Sequence, residues 1–196
     1  MKKKLTIVVS LLLVMALSIG GTLAYLTDKT DAIENTFTIG NIDITLAESV
    51  DTDGDGKANF KIVPGATVAK DPKITVVKGS EQCYVYALIE NNLVINNEVV
   101  ATTDLVATDW IAIGSAGTKT LYRYKAIVNA SAADEKLPVF TQVTYNGEKI
   151  TADNIDTLNN KTIVVSAFAH QAENIGEGTT TADTAAAGWA SVTLNP

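Results

Sequence analysis

Histidine and cysteine are almost absent from this sequence: each occurs once, as His170 and Cys83. A single cysteine excludes an intramolecular disulfide, and its apolar surroundings indicate a buried structural thiol. A catalytic zinc site needs about three protein ligands and a general base, and the chain has no His-Glu-x-x-His motif. We therefore expect a protein that is not an enzyme, with no catalytic residues.

Basic residues are outnumbered, because the chain has 15 lysines and arginines against 22 aspartates and glutamates. Three of the basic residues lie in the first four positions, and residues 1–24 contain no acidic residue. Without that segment the net charge is 12 − 22 = −10. A surface of this charge repels nucleic acids and anionic lipids, so we expect neither as a partner.

The sequence has one long apolar run, residues 5–19, directly after three lysines. Gly20-Gly21 ends the run, and Thr22-Leu23-Ala24 places small residues at a cleavage site. This order is typical of a secretory signal, with cleavage by a signal peptidase between Ala24 and Tyr25. The alternative is an uncleaved anchor, but a run of about 15 residues is short for a bilayer span of roughly 20. We therefore predict a cleavable signal peptide over residues 1–24.

A period of two dominates residues 25–196, which we interpret as one secreted domain with no stable membrane span. The run 83–89 is apolar on both faces, as in a central strand. Residues 121–128 alternate between apolar and polar, and the run 162–169 is rich in β-branched residues. Asp-Gly and Asn-Gly pairs separate such runs, which predicts a sandwich or a barrel. Helical signal is sparse and strongest at residues 181–187, so we expect an all-β fold with a few short helical turns.

The first strand of the domain follows a charged spacer, residues 27–35. Its apolar phase slips by one residue at Gly40, which predicts a β-bulge. The apolar positions of this strand are Phe37, Ile39, Ile42, Ile44 and Leu46. A strand tethered by a polar spacer can complete its own sheet or that of another molecule. An ordinary intramolecular edge strand is the alternative, and both interpretations stay open at this point.

Two segments carry a resemblance to a known family. Residues 20–28 combine a glycine pair with an aromatic residue near the cleavage point, and residues 35–46 contain the pattern Phe-x-x-Gly-x-hydrophobic-Asp. They resemble the start of TasA/camelysin family proteins, which are substrates of a SipW-type signal peptidase in Gram-positive bacteria. Residues 60–65 and 167–172 are similar to the body of that family.

The resemblance implies a jelly-roll-like antiparallel β-sandwich. It also implies a secreted structural protein of the biofilm matrix or cell surface that assembles into fibres through its N-terminal strand, residues 25–46 including the spacer. The partners would be further copies of itself or related matrix proteins. Camelysin-type relatives have been described as metallopeptidases, and this sequence departs from that chemistry in its ligand count.

A candidate metal site lies in an acidic loop with carboxylates at loop positions 1, 3 and 5 and glycine at position 6. That spacing forms the first half of a calcium loop, although the glutamate expected at position 12 is replaced by Ile62. The candidate ligands are Asp51, Asp53, Asp55, Lys57 and Asn59. The pattern predicts weak structural Ca²⁺ binding and no other cofactor; an acidic hairpin tip is the alternative.

Strand aromatics offer a different function. Tyr84, Tyr86, Tyr122, Tyr124 and Trp110 could form a platform for glycans, which would make the chain an extracellular carbohydrate- or surface-binding module. Strand aromatics at a period of two are more often core residues or cross-strand pairs.

Overall fold

The computed structural model describes residues 40–49, 61–105, 108–173 and 178–195. The strands in these residues are β1 (Ile44–Ala47), β2 (Thr67–Ala69), β3 (Lys73–Val76), β4 (Cys83–Asn91), β5 (Val94–Ile95), β6 (Glu98–Val99), β7 (Ala101–Thr103), β8 (Trp110–Ala116), β9 (Lys119–Tyr124), β10 (Glu135–Pro138), β11 (Gln142–Tyr145), β12 (Ile163–Gln171) and β13 (Thr193–Leu194). A 3-10 helix covers Ile155–Leu158, and the α-helix α1 covers Thr179–Ala190. The predicted all-β class is confirmed.

The strands form an antiparallel sandwich. One layer is a five-stranded sheet in the order β12-β4-β9-β8-β13. Two three-stranded sheets, β1-β3-β10 and β2-β11-β7, share a single hydrophobic core with it. Strands β5 and β6 form a separate hairpin. The turn pattern left a sandwich and a barrel open, whereas the family resemblance implied a sandwich. The sheets of the described residues do not close into a barrel, in agreement with a sandwich.

Strand β4 is the central strand that its unbroken apolar run predicts. It pairs with β12 on one side and with β9 on the other. Val85 and Ala87 point into the core between the sheets, whereas Tyr86 and Leu88 belong to a second cluster beneath α1. Both faces of β4 are therefore covered, which explains why both are apolar.

Helix α1 packs on the outer face of the five-stranded sheet through small side chains. Its buried residues are Ala182, Ala186, Ala187 and Ala190. The helix is longer than the predicted 181–187, because it begins at Thr179 and continues through Gly188 to Ala190. Packing of the alanines on the sheet outweighs the helix cost of one glycine. In the described part of the chain, no helix is long and apolar enough to span a bilayer.

A β-bulge was predicted at Gly40, but Gly40 does not lie within a strand of the described residues. Residues 40–43 lie outside any strand, and β1 begins only at Ile44. A register shift occurs instead between Ala112 and Gly114, where β8 pairs with β9. A side chain at Gly114 would place its Cβ 2.6 Å from the Thr193 carbonyl oxygen, so β13 can approach β8 only at a glycine.

Candidate functional site

The N-terminal segment of the described chain, residues 40–49, is called the arm below. Its strand β1 pairs antiparallel with β3, and β10 pairs with the opposite side of β3. Among the described residues β1 is therefore the edge strand of its sheet. An edge strand is held by one ladder only, and its outer side offers backbone groups to another strand.

One face of the arm contacts the hydrophobic core. Ile42 and Ile44 are half-buried and pack against it. The register places Ile44 opposite Val76 and Leu46 opposite Ile74, and both β3 residues are fully buried. Leu46 lies on the same face, because cross-strand partners share a face, but 39% of it is exposed at the sheet edge. The arm thus covers the core residues of β3 from the side.

Hydrogen bonds extend the attachment beyond the N-terminal end of β1. The Val77 amide donates to the Asp43 carbonyl (2.9 Å), and the Glu81 amide donates to the Asn41 carbonyl (2.9 Å). Ser80 is buried, and its Oγ accepts a hydrogen bond of 3.0 Å from the Asp43 amide. Backbone pairing and hydrogen bonds therefore attach residues 41–47 of the arm to β3 and to the turn that follows it as far as Glu81.

A polar cluster attaches the other end of the arm; we call it the clasp and define it as Glu48, Ser49, Lys70, Asp71 and Lys73. Lys70 Nζ lies 3.1 Å from Glu48 Oε1, with only 15% and 18% of the two side chains exposed. The Ser49 amide and hydroxyl both donate to Asp71 Oδ1, at 2.9 and 2.8 Å. Lys73 Nζ donates to Asp71 Oδ2 at 2.5 Å. Two residues of the arm are thereby joined to Lys70 and Asp71, just before β3, and Lys73 at the start of β3 supports the Asp71 carboxylate.

The clasp shifts the acidity of its central carboxylate. The hydrogen bond from Lys73, followed by those from the Ser49 amide and hydroxyl, lowers the pKa of Asp71 from 3.8 to about 2. All three interactions favour the ionised form over the neutral acid. The carboxylate therefore keeps its charge, and its bonds to the arm, well into the acidic range.

Comparison with known proteins gives one family. The model of the family described as camelysin metallo-endopeptidase matches residues 1–107, more than half of the chain. The chain belongs to the camelysin metallo-endopeptidase family. The match includes the arm, the clasp and strands β1 to β7. Searches of curated proteins and of solved structures found no match.

Several predicted sites of this camelysin-family chain lie outside the described residues. They are the cleavage residues Ala24 and Tyr25, the strand residues Phe37 and Ile39, and the calcium-loop residues Asp51, Asp53, Asp55, Lys57 and Asn59. Of the predicted strand, Ile42, Ile44 and Leu46 are described, and the structure brings them together with β3. The clasp was not predicted from the sequence.

The two rare residues of this camelysin-family chain occupy unremarkable positions. His170 is half-buried on β12, and its Nδ1 lies 3.0 Å from the Gln171 carbonyl oxygen. Cys83 is fully buried, and burial raises the pKa of its thiol to about 11. Over the described ranges, no group of three or more histidine, cysteine, aspartate or glutamate side chains is placed to hold a metal ion.

The aromatic platform suggested by the sequence does not form as a surface. Trp110 and Tyr86 are buried, and Tyr122 and Tyr124 pack against the core. Their alternation along the strands points them into the sandwich or beneath α1, which periodicity alone could not decide. Among the aromatic residues that the structure describes, the exposed one is Trp189, with 40% of its surface accessible. It stacks on Phe168 with ring centroids 5.3 Å apart and planes 20° apart.

Proposed function

We propose that this protein is a secreted, non-catalytic structural component of an extracellular matrix or cell surface that assembles with further copies of itself by exchanging the arm. One observation carries the proposal. The arm forms an edge strand that covers buried residues of β3, and in the described residues the ladder with β3 is the only ladder that it forms.

The energetics permit exchange as a mode of assembly. An arm donated to a neighbouring molecule makes the same ladder with β3, the same contacts through Ile42 and Ile44 and the same clasp as in its own domain. The net free-energy change of the swap is therefore small, and concentration decides between closed and assembled forms. Strand addition to a sheet edge draws its affinity from main-chain hydrogen bonds and its specificity from the alternate side chains.

Two features of the sequence support the cellular setting and the absence of catalysis. The signal-like segment 1–24 would direct the chain out of the cell, where further copies or related matrix proteins are its partners. The chain has one histidine, whereas a catalytic zinc site of the peptidase type uses about three protein ligands with an open position. We propose no cofactor beyond a structural Ca²⁺ ion at Asp51, Asp53 and Asp55.

Electron microscopy and sedimentation of residues 25–196 test the proposal. We expect fibres that grow with concentration and time. A variant lacking residues 25–49 should not polymerise alone, because it has no arm to donate, yet its vacant β3 edge should cap wild-type fibres and shorten them. The same samples, assayed with Zn²⁺ against a casein substrate, should release no peptides. Peptide release that disappears in His170→Ala would instead support a peptidase.

A second candidate function rests on Trp189. Its exposed ring, stacked on Phe168 at the outer edge of β12, is the kind of flat aromatic surface on which sugar rings pack. As a carbohydrate-binding module, the chain would bind polysaccharide and stay monomeric. Trp189→Ala should then abolish binding in a pull-down with insoluble polysaccharide, while Val99→Ala, a change at an exposed residue elsewhere, should leave it intact.

A further inference from the structure

We infer that the clasp is a recognition element that fixes which strand, and which register, the β3 edge accepts from a second copy of this chain. In an exchanged pair, Glu48 of one copy would bind Lys70 of the other and Ser49 would bind Asp71, whose carboxylate Lys73 of the same copy also contacts. The inference rests on the proposed exchange of the arm and adds the residues that select the partner.

The apolar face of the arm restricts the register only in part. Because successive side chains of a strand alternate between faces, a slip of one residue would turn Ile44 and Leu46 away from Val76 and Ile74. A slip of two residues keeps the apolar side chains on the core face. Hydrophobic contact alone therefore tolerates every even slip.

The clasp excludes the even slips. It begins directly after the last paired position, Ala47 opposite Lys73. A slip of two residues would move Glu48 by about 7 Å along the strand, at roughly 3.4 Å per residue. The 3.1 Å contact with Lys70 would be lost, and Ser49 would no longer reach Asp71. The apolar face excludes slips by an odd number of residues, and the clasp selects one register among those that remain.

The burial of the ion pair makes it selective. Glu48 and Lys70 are largely shielded from solvent, so a wrong charge at either position is not compensated by water as it would be on an open surface. A foreign edge strand with alternating apolar residues but no acid after them would lack the contact that Glu48 makes with Lys70. The fitting partner is a strand with apolar residues at alternate positions, followed by an acid and a hydroxyl residue.

Charge reversal tests this inference in the mature chain, residues 25–196. Glu48→Lys and Lys70→Glu each place like charges together, both in the closed monomer and in a homopolymer. Because the repulsion is the same in both forms, each variant alone should assemble at a protein concentration close to that of wild type. An equimolar mixture restores opposite charges at every junction, because each chain donates to and accepts from the other. Mixed junctions escape the repulsion that each closed monomer carries, so the mixture should assemble at a protein concentration at least about tenfold lower than either variant alone, with the two chains in equal amounts in the pelleted fibres.

In the double variant Glu48→Lys/Lys70→Glu the two charges are exchanged, so the arm and the β3 edge of this variant again carry opposite charges. It should assemble as wild type does but separate from it, so fibres grown from differently labelled wild-type and double-variant chains should each carry one label. Glu98→Lys is the matched control. It reverses the charge of an exposed ion pair, in which Glu98 of β6 lies 2.7 Å from Lys149, and it should leave assembly unchanged.

The outcomes distinguish failure of selection by the clasp from failure of arm exchange itself. If wild type forms fibres while the equimolar mixture assembles no more readily than either single variant, or while the double variant mixes freely with wild type, the clasp does not select the partner and only the proposed function survives. If wild type stays monomeric at every concentration, both fail. Preferential assembly of the mixture together with segregation of the double variant supports the inference.

Discussion

Replacing Ile44 by aspartate measures how firmly the arm packs on the core. Ile44 is half-buried opposite the fully buried Val76. Burying a whole isoleucine side chain contributes about 1.5–3 kcal/mol, so loss of half of that contact costs about 1 kcal/mol. A carboxylate placed against the same apolar surface adds about 1–3 kcal/mol of desolvation. We therefore expect Ile44→Asp to destabilise the arm by about 2–4 kcal/mol.

Thr45→Asp is the matched control, because Thr45 is the next residue of β1, is exposed, and lies on the opposite face of the sheet, across from Thr75. It introduces the same charge and should change stability by less than about 0.5 kcal/mol. Urea unfolding of dilute mature chain gives the global effect, and hydrogen exchange at the amides of β3 gives the local one. Equal effects of the two variants would refute the packing of the arm on the core.

Four further predictions concern other parts of the molecule. Trp110→Phe removes the 2.8 Å hydrogen bond from the indole Nε1–H to the Pro138 carbonyl and should lower unfolding stability by about 1–2 kcal/mol in urea titrations; an unchanged midpoint would mean that this bond does not contribute. Because the folded pKa of Asp71 lies below its ordinary value, the stability that Asp71 contributes is present above about pH 4 and is lost as the pH falls towards 2. Asp71→Asn should lower the melting temperature at pH 5 and reduce the change in melting temperature between pH 5 and pH 2. A pH dependence equal to that of wild type would contradict this. Cys83, buried and with a raised pKa, should react with a thiol reagent only after unfolding, so rapid labelling at pH 8 would count against its burial. Millimolar Ca²⁺ should raise the melting temperature of wild type but not of Asp53→Ala/Asp55→Ala, and an equal shift in both would place the effect elsewhere.

The runs that were best predicted from the sequence are 83–89 and 162–169, which correspond to β4 and β12. Burial on both faces gives β4 an unbroken apolar run. The residues of β12 are partly buried or exposed, and its β-branched residues indicate the strand. The arm was predicted less well. Its strand begins at Ile44 rather than earlier, since residues 41–43 bond to the turn at 77–81 instead of to a neighbouring strand.

The clasp could not be predicted, because its bonds join groups that are distant in the sequence. Glu48 and Lys70 are 22 residues apart, and so are Ser49 and Asp71. Each is an ordinary charged or polar residue near a strand end until the pairing of β1 with β3 brings them together. The aromatic platform, the less favoured of two interpretations of the strand aromatics, does not form for a related reason: a period of two shows that side chains share a face but not whether that face is covered.

The aromatic residue that is exposed, Trp189, had a weak signal in the sequence. It follows Gly188 in an alanine- and threonine-rich segment, and only the packing of α1 on the sheet decides which of its residues face solvent. The alanines, being small, let the helix approach the sheet closely. Trp189, near the C-terminal end of the helix, reaches past them to the edge strand β12, where it meets Phe168.

Exchange of the arm, the central claim, is tested most directly by cross-linking β1 to β3. Thr45 and Thr75 lie directly opposite each other, and the Cβ atoms of such pairs are about 4.5–5.5 Å apart, close enough for a disulfide after a small adjustment. Fibres of Thr45→Cys/Thr75→Cys, oxidised and run on a denaturing gel without reductant, should give a ladder of covalent multimers. Thr45→Cys alone should give dimers at most. Fibres that yield only internally cross-linked monomers would show that the arm stays on its own domain.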